Sequence, residues 1–535
     1  MKKNHSSSKK LVLSLVTISF LSSYSYANNT NVKAYSGANS KSRSANVYSS
    51  QARINTTINQ SLSNTQTITD TGNTLVIGSS GTIQVSNNNH IAVDFKPSSS
   101  TDIFKNEGTV QGGSNKTSVQ VGANGNSGGG ATINTFTNSG IIGNGTSKFG
   151  ITVWGKSDNK SSITNFSNSG TIHSKNEGVY FSNTEIKTFT NSGTIQSNSH
   201  QGVSINSGAT IETLTNSGAI QSSNYGINVA ANANIKTLNN ESSGSIIASN
   251  ANAINFAQGN STTIFKNEGT IQGGSNTASV NLGTNNQNGV TIETFTNEGI
   301  IGNGASKFAI TVWGKDGSKS TIDNFTNKGT ISSNSGEAIY FNNTKINTFN
   351  NGGTIKSNSG YGVNVASGST IDNFNNSGLI QAGSNGVNIA SGTSIENFSN
   401  SGTIQGGGWY GMNVGSAIDN FNNTGVINGN SSGIFVTSNI KTLINSGTII
   451  GVNSELTSAG IKLESGGTID NIINSGTISS DTGGIAVSYG KFGTLTIKNG
   501  GIVRGKRAGI VVGQWQTLGD LYIDGGKSSK KDGTV

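Results

Sequence analysis

From about residue 74 onward the apolar positions of the chain fall into one recurring phrase, I-x-x-F-x-N-x-G-x-I. Ile133, Phe136, Asn138, Gly140 and Ile142 spell it once; Ile211, Leu214, Asn216, Gly218 and Ile220 spell it again. The aromatic or aliphatic position falls at residues 104, 136, 166, 189, 214, 238, 265, 295, 325, 349, 374, 398, 421, 443, 472 and 497, fifteen steps averaging 26 residues. A weaker copy lies at Ile77, Gly81 and Ile83. A fixed period in the range of roughly 20–50 residues is the mark of a solenoid or array. Phe136, Asn138, Gly140 and Ile142 are two apart, which is strand spacing and not helix spacing. Each unit then carries a second alternating piece, such as Ile151 and Val153, Val203 and Ile205, or Val387 and Ile389. Two or three short strands per unit, joined by Asn/Ser/Gly turns, predict one coil of a parallel β-helix. The expected fold is all-β, a solenoid of about 17 coils over residues 71–525, on the order of 80 Å long at about 4.8 Å per coil.

This architecture asks for little apolar mass. Each strand bonds to the same strand of the next coil, so the backbone is satisfied by stacking. About six inward positions per coil need filling, and the outer wall can be Ser, Thr, Asn or Lys. One inward position is an asparagine: Asn138, Asn168, Asn191, Asn216, Asn297, Asn327, Asn376 and Asn400, with further members at 106, 267, 351, 423, 445, 474 and 499. Stacked at one corner, these amides are expected to bond to one another along the axis. Their role is expected to be structural. The glycine two residues on is expected to supply a positive φ at that corner.

A second level of repetition lies above the coil. Phe104, Phe136, Phe166, Phe189, Leu214 and Leu238 map onto Phe265, Phe295, Phe325, Phe349, Phe374 and Phe398 with offsets of 159–161 residues. A six-coil block (104–264) is therefore duplicated in tandem (265–420). Residues 140–156 and 299–315 differ at two of seventeen positions, and Tyr180-Phe181 reappear as Tyr340-Phe341. Inward packing is expected for Phe149 and Phe308. Trp154 and Trp313 follow Val153 and Val312 by one residue, so alternation points them outward. Trp154 with Lys156, and Trp313 with Lys315, are thus expected to form two exposed binding patches about six coils apart.

Composition explains why other classes fail. The 535 residues include 75 glycines, one proline and no cysteine, and only 11% are charged. Collagen needs abundant proline, and a charged disordered chain needs more charge. The missing cysteines remove disulfides, thiol catalysis, Cys-ligated zinc and iron–sulfur clusters. No metal or other cofactor is implied. Lys2, Lys3, Lys9 and Lys10 precede the apolar run Leu11–Leu21, and small residues Ser25 and Ala27 follow. These are the parts of a secretory signal peptide cut after Ala27, and the run is too short to span a membrane. Removing its four lysines takes the net charge from +9 to +5. That balance does not suggest a nucleic-acid partner, which calls for basic charge gathered on one face. Residues 28–70 are expected to form an N-terminal segment or cap, and 526–535 a hydrophilic tail.

Several motifs match catalytic patterns by letter alone. Gly150 to Ser157 fits the phosphate loop, but it runs through a strand and its copy ends Gly314-Lys315-Asp316. Gly125–Gly129 and Gly429–Gly433 fit G-x-S-x-G without a histidine context, as expected by chance in a Gly/Ser-rich chain. Gly406–Gly411 fits a dinucleotide fingerprint with no helix to follow. A glycan lyase or hydrolase needs clustered carboxylates and often an arginine. Beyond residue 27 the arginines are only Arg43, Arg53, Arg504 and Arg507, and the acids are scattered singly. No catalytic residue is assigned.

The signal peptide, the cysteine-free repeats and the phrase F-x-N-x-G-x-I together resemble autotransporter (type V secreted) passenger domains of Gram-negative bacteria, adhesin-like ones in particular. The resemblance covers roughly residues 1–525. It implies a right-handed β-helix displayed at the cell surface or released, mediating adhesion or autoagglutination. The implied partner is a host-cell or bacterial surface glycan or protein. It also implies a C-terminal outer-membrane translocator barrel; because the repeat weakens after Ile497 and ends in KSSKKDGTV, that barrel is expected to be missing from this chain. A β-helical glycan-active enzyme and a toxin passenger resembling the vacuolating cytotoxin family are the alternatives.

Overall fold

The computed structural model describes residues 55–123, 128–453, 458–498, 500–513 and 519–523. Their secondary structure is strand and turn, without helix. The strands pair in parallel into three sheets of nineteen, eighteen and eighteen strands. Each turn contributes one strand to each sheet in order, so the described chain makes eighteen turns of a β-solenoid, closed by the strand Asp520–Ile523. The first strand, Asn55–Ile58, already pairs with Thr71–Ile77, so the solenoid begins ahead of the expected boundary at residue 71. The signal segment and its Ala27 cut, like the tail 526–535, lie outside the described residues.

One turn shows how the sequence sets the core. Strands Thr184–Asn191, Thr194–Ser197 and Val203–Ile205 follow one another. Ile186, Phe189, Asn191, Ile195, Val203 and Ile205 are buried, five apolar side chains and one amide. Stacking repeats them as columns, and β-branched residues fill most of these because they suit the pleat. The strand spacing dictates the ring packing. From Phe265 to Phe421 seven phenylalanines stack with centroids 4.5–4.9 Å apart. Phe181 meets Phe166 and Phe189 edge-on from across the core, and Phe341 does the same to Phe325 and Phe349. Such edge-to-face contacts suit the ring quadrupoles. Within first-sheet strands such as Thr132–Asn138 the alternation skips a residue, since Ile133 and Phe136 are three apart and both buried.

The asparagines form one continuous line. Asn106, Asn138, Asn168, Asn191, Asn216, Asn240, Asn267, Asn297, Asn327, Asn351, Asn376, Asn400, Asn423, Asn445 and Asn474 each donate from Nδ2 to the Oδ1 of the next, over 2.7–2.8 Å, up to Asn474. All fourteen bonds run in the same direction, so the amide dipoles add head to tail. Asn240 is a member that the sequence pattern missed. Position 499 lies outside the described residues, and the ladder site of that turn is Ile497, which registers with Asn474. Ile77 holds the equivalent site below Asn106, so an apolar side chain closes each end. Having no donor beneath it, Asn106 Oδ1 is left unpaired. The neighbouring glycines follow a different rule from the one expected. Gly140, Gly170, Gly193 and Gly218 do not adopt left-handed backbone. A Cβ on any of them would come within 2.1 Å of the carbonyl oxygen of the glycine one turn earlier. The column is glycine because the backbones approach closely.

Candidate binding face

The outer face of the third sheet carries the aromatic side chains. Trp154 ends the strand Phe149–Trp154 and Trp313 ends Phe308–Trp313, with identical burial patterns. Both indoles point outward as alternation demands, yet both are half-buried. The tyrosine of the next turn covers each: Tyr180 lies 4.5 Å from Trp154, centroid to centroid, and Tyr340 lies 4.8 Å from Trp313. The expected exposed patches are thus partly roofed. Lys156 and Lys315 are also half-buried and open short antiparallel bridges, Lys156 to Asn159 and Lys315 to Ser318. The phosphate-loop lookalike is therefore a strand followed by a tight hairpin. Ser161 Oγ ties this hairpin down by donating to the Trp154 carbonyl, and Ser320 does the same for Trp313.

Phe149 and Phe308 overturn the expectation of inward packing. Both are half-buried and stand outside the apolar core. Lys148 Nζ lies 5.2 Å from the Phe149 ring centroid, and Lys307 Nζ lies 5.2 Å from that of Phe308. The reason is the corner that follows. Gly150 and Ala309 take the buried place there, and a Cβ on Gly150 would already meet the Gly178 oxygen at 2.5 Å. The larger ring is turned out to the surface.

The residue before each such corner forms a column that the repeat phrase did not single out. Gly150 N donates to Glu177 O, Gly178 N to Gln201 O, and Gly202 N to Tyr225 O, over 2.9–3.1 Å. Phe149, Glu177, Gln201 and Tyr225 therefore stand one turn apart. The recurring x-G-[VI]-x-[VI] string is the sequence signal that could have found them. Burial is the main cause pushing the Glu177 carboxyl above its ordinary range, opposed by a backbone hydrogen bond and by His200 and Lys148. Burial, then the Glu177 charge, likewise raises Tyr180. Between the aromatic clusters the same face carries outer amide ladders. Asn281 donates to Asn255 and Asn255 to Asn228; Asn413 donates to Asn388 and Asn388 to Asn364, over 2.7–2.9 Å. These run opposite to the inner ladder. A third aromatic group lies further along, where Tyr410 stacks on Phe435 at 4.3 Å and Lys462 Nζ lies 5.9 Å from Phe435.

Among the described residues the first sheet carries shallow depressions where its strands skip a residue. Those lined by Glu185, Lys187 and Glu212, by Asp470 and Lys491, and by Asp372, Glu396 and Asp419 measure about 280, 290 and 240 Å³. Small-molecule sites usually enclose about 300–1,000 Å³. Among the described residues no three His, Asp or Glu side chains converge as a metal site would require. The Asn ladder has its amides bonded to each other, with the buried Asn106 Oδ1 at its end as the unpaired atom. No family model, no curated protein and no solved structure matches the chain.

Proposed function

We propose that this chain is an exported, adhesin-like passenger of the autotransporter type, acting by binding rather than by catalysis. The carrying observation is the outer face of the third sheet. A Lys–Phe pair and a Trp–Tyr pair occur there in each of the two duplicated blocks, at equivalent positions. Flat, half-buried aromatic rings beside lysines and ordered amides suit contact with a surface ligand, because rings contribute large apolar area while their edges and neighbours keep polar handles. The N-terminal leader supports export, and the proposed partners are surface glycans or proteins of host cells or of neighbouring bacteria. The test is display of the chain on a non-adherent Gram-negative host through a supplied translocator barrel. Cell clumping or host-cell attachment is expected, falling at least tenfold in Trp154→Ala/Trp313→Ala; equal clumping by the double variant would refute the assigned face.

One observation favours a glycan-active enzyme as the second reading: Asp372, Glu396 and Asp419 share one depression on the first sheet. They come from three successive turns, and no arginine occurs between Arg53 and Arg504 to assist them. Release of reducing ends from a polysaccharide, abolished by Glu396→Gln, would establish that reading instead.

A further inference from the structure

Side chains on the outer wall have drifted apart between the two blocks. Ser139 becomes Glu298 and His173 becomes Ser332. Ser204, in register with Tyr180, becomes Asn364, in register with Tyr340, and Asn364 donates to Glu337 Oε1 at 3.1 Å. One turn is the exception. Residues 140–156 and 299–315 differ only at Thr146 against Ala305 and Gly150 against Ala309. Lys148, Trp154 and Lys156 recur as Lys307, Trp313 and Lys315, and Lys160 recurs as Lys319. None of these side chains belongs to the apolar core, so packing does not account for their retention in both copies. A task at the surface does.

The retained turn is basic. Residues 140–160 hold three lysines against Asp158, and residues 299–319 hold three lysines against Asp316, a net of +2 each. Residues 265–420 as a whole hold seven lysines and nine acids, so there the positive charge is gathered at this turn on a negative background. Lys148 and Lys307 are exposed, each with Nζ 5.2 Å from the centroid of the next residue's ring. In the first block measured contacts continue from Phe149 to Tyr180 at 6.1 Å and from Tyr180 to Trp154 at 4.5 Å. Lysines beside half-buried rings suit a ligand that carries negative charge and also offers an apolar face.

The ground between the two turns says what joins them. Tyr180 and Tyr340 belong to one register column, linked through Ser204, Asn228, Asn255, Asn281 and Thr311. They are six turns apart, about 29 Å at about 4.8 Å per turn. The linking residues are uncharged, and their polar groups are ordered: Asn281 donates to Asn255, Asn255 to Asn228, and Thr311 Oγ1 to Asn281 Oδ1, over 2.8–2.9 Å. A polymer laid from one turn to the other meets hydroxyls and amides, which suit a chain rich in hydroxyls and do not suit acyl chains.

We propose that the third sheet binds one strand of an anionic polysaccharide along its length, gripped at two places by the equivalent lysine- and tryptophan-bearing turns of the two blocks. This deepens the adhesin reading and rests on it. Two grips on one strand make the second contact intramolecular, so the pair holds far more tightly than either alone.

The test is calorimetric titration of the purified chain with full-length heparin, with a heparin disaccharide too short to reach both turns, with uncharged dextran and with double-stranded DNA. Heparin is expected to bind, dextran not, and DNA at least tenfold more weakly than heparin. Trp154→Ala and Trp313→Ala should each weaken full-length heparin tenfold or more, yet only halve the number of disaccharide sites. Lys148→Gln/Lys307→Gln should weaken both heparin ligands and flatten their salt dependence. These two lysines are exposed, so this variant should keep the wild-type thermal transition, and it decides the question should a tryptophan variant unfold. No binding of heparin, equal binding of dextran or DNA, or single tryptophan variants that hold full-length heparin as tightly as wild type would each overturn the proposal. If displayed wild-type chain clumps or attaches to cells while heparin is not bound, the polysaccharide site fails and the adhesin reading stands. If displayed chain neither clumps nor attaches, that reading fails too.

Discussion

The two blocks share a core and differ at their surfaces. Inside, residues 104–264 and 265–420 carry the same columns: Phe166 and Phe325 stack alike, Phe181 and Phe341 meet them edge-on alike, and one Asn ladder passes through both. Outside, the acid before the corner has a bonded partner in one block and none in the other. Glu337 is held by Asn364, whereas Glu177 has a serine beside it and keeps a buried oxygen without a donor. The charged rims differ in the reverse sense. Block one has two separate pairs, Lys105–Glu107 and Lys160–Glu185, but block two links Lys266, Glu268, Glu298 and Lys328. Every turn needs the same inward side chains to pack on its neighbours, so substitutions there are strongly constrained. An outward side chain can change without disturbing the stack, and this is where copies of a repeat acquire separate roles.

The sameness of the interiors is tested most severely by putting a charge into the ladder. Asn138→Asp and Asn297→Asp each replace an Nδ2 donor by an oxygen facing the Oδ1 of the next asparagine and two backbone carbonyls. An uncompensated buried charge costs about 3–5 kcal/mol. Both variants should lower the urea midpoint by a similar large amount, with hydrogen exchange fastest in the turns beside the substitution. A large loss in one block and none in the other would refute a shared core.

Exchanging the outer residues is expected to have a smaller effect. Asn364→Ser removes the donor to Glu337 and the acceptor of Asn388, at a cost of about 1–2 kcal/mol. Ser204→Asn gives Glu177 a donor and should raise stability by about 1 kcal/mol. Thermal unfolding of the two variants should therefore shift in opposite directions, and shifts of the same sign would mean that Glu337 and Glu177 are not equivalent sites.

Acidity separates the blocks further. The folded pKa of Glu177 is raised, so its charged form is the one that folding disfavours. Its contribution to stability is full below the ordinary carboxylate range and is lost as pH rises through the folded value. Glu298 is the opposite case: the Lys328 hydrogen bond, with Lys266, holds its carboxyl below the usual range. Its contribution is present above that range and is lost as pH falls. Between about pH 4 and 7, Glu177→Gln should remove part of the decline in stability with rising pH. Glu298→Gln should instead flatten the loss on acidification. Parallel pH profiles of the two variants and the wild-type chain would contradict the assignment.

The smallest expected difference is that of the charged rim. Glu298→Ser recreates the first block's Ser139 at the equivalent site and should cost under about 1 kcal/mol, vanishing in high salt. A salt-independent loss would mean that Glu298 does more than pair with lysines.

Much of this was legible before any coordinates. The 26-residue period, the two-apart spacing and the recurring Asn fixed the parallel solenoid, its inward columns and the line of amides, because in a stacked fold each turn repeats the geometry of the last. Where the sequence misled, the cause was local. Phe149 reads as core because it is aromatic in an apolar string, yet the corner at Gly150 leaves the inward place too small for it. Trp154 reads as fully exposed because alternation says nothing about what the next turn lays over it, and the next turn lays down Tyr180. The glycine after each ladder Asn reads as a positive-φ corner, and only the stacked backbones show that its lack of a Cβ is what matters. The sequence by itself therefore determined what repeats along the axis: strands, register, core and ladder. Which side chains of different turns meet was decided only by the tertiary structure. Glu177 and Gln201 are 24 residues apart in the chain and stand on successive turns because this turn contains that many residues; the x-G-[VI]-x-[VI] string places them in one column, and the coil length and corner shape set what surrounds them.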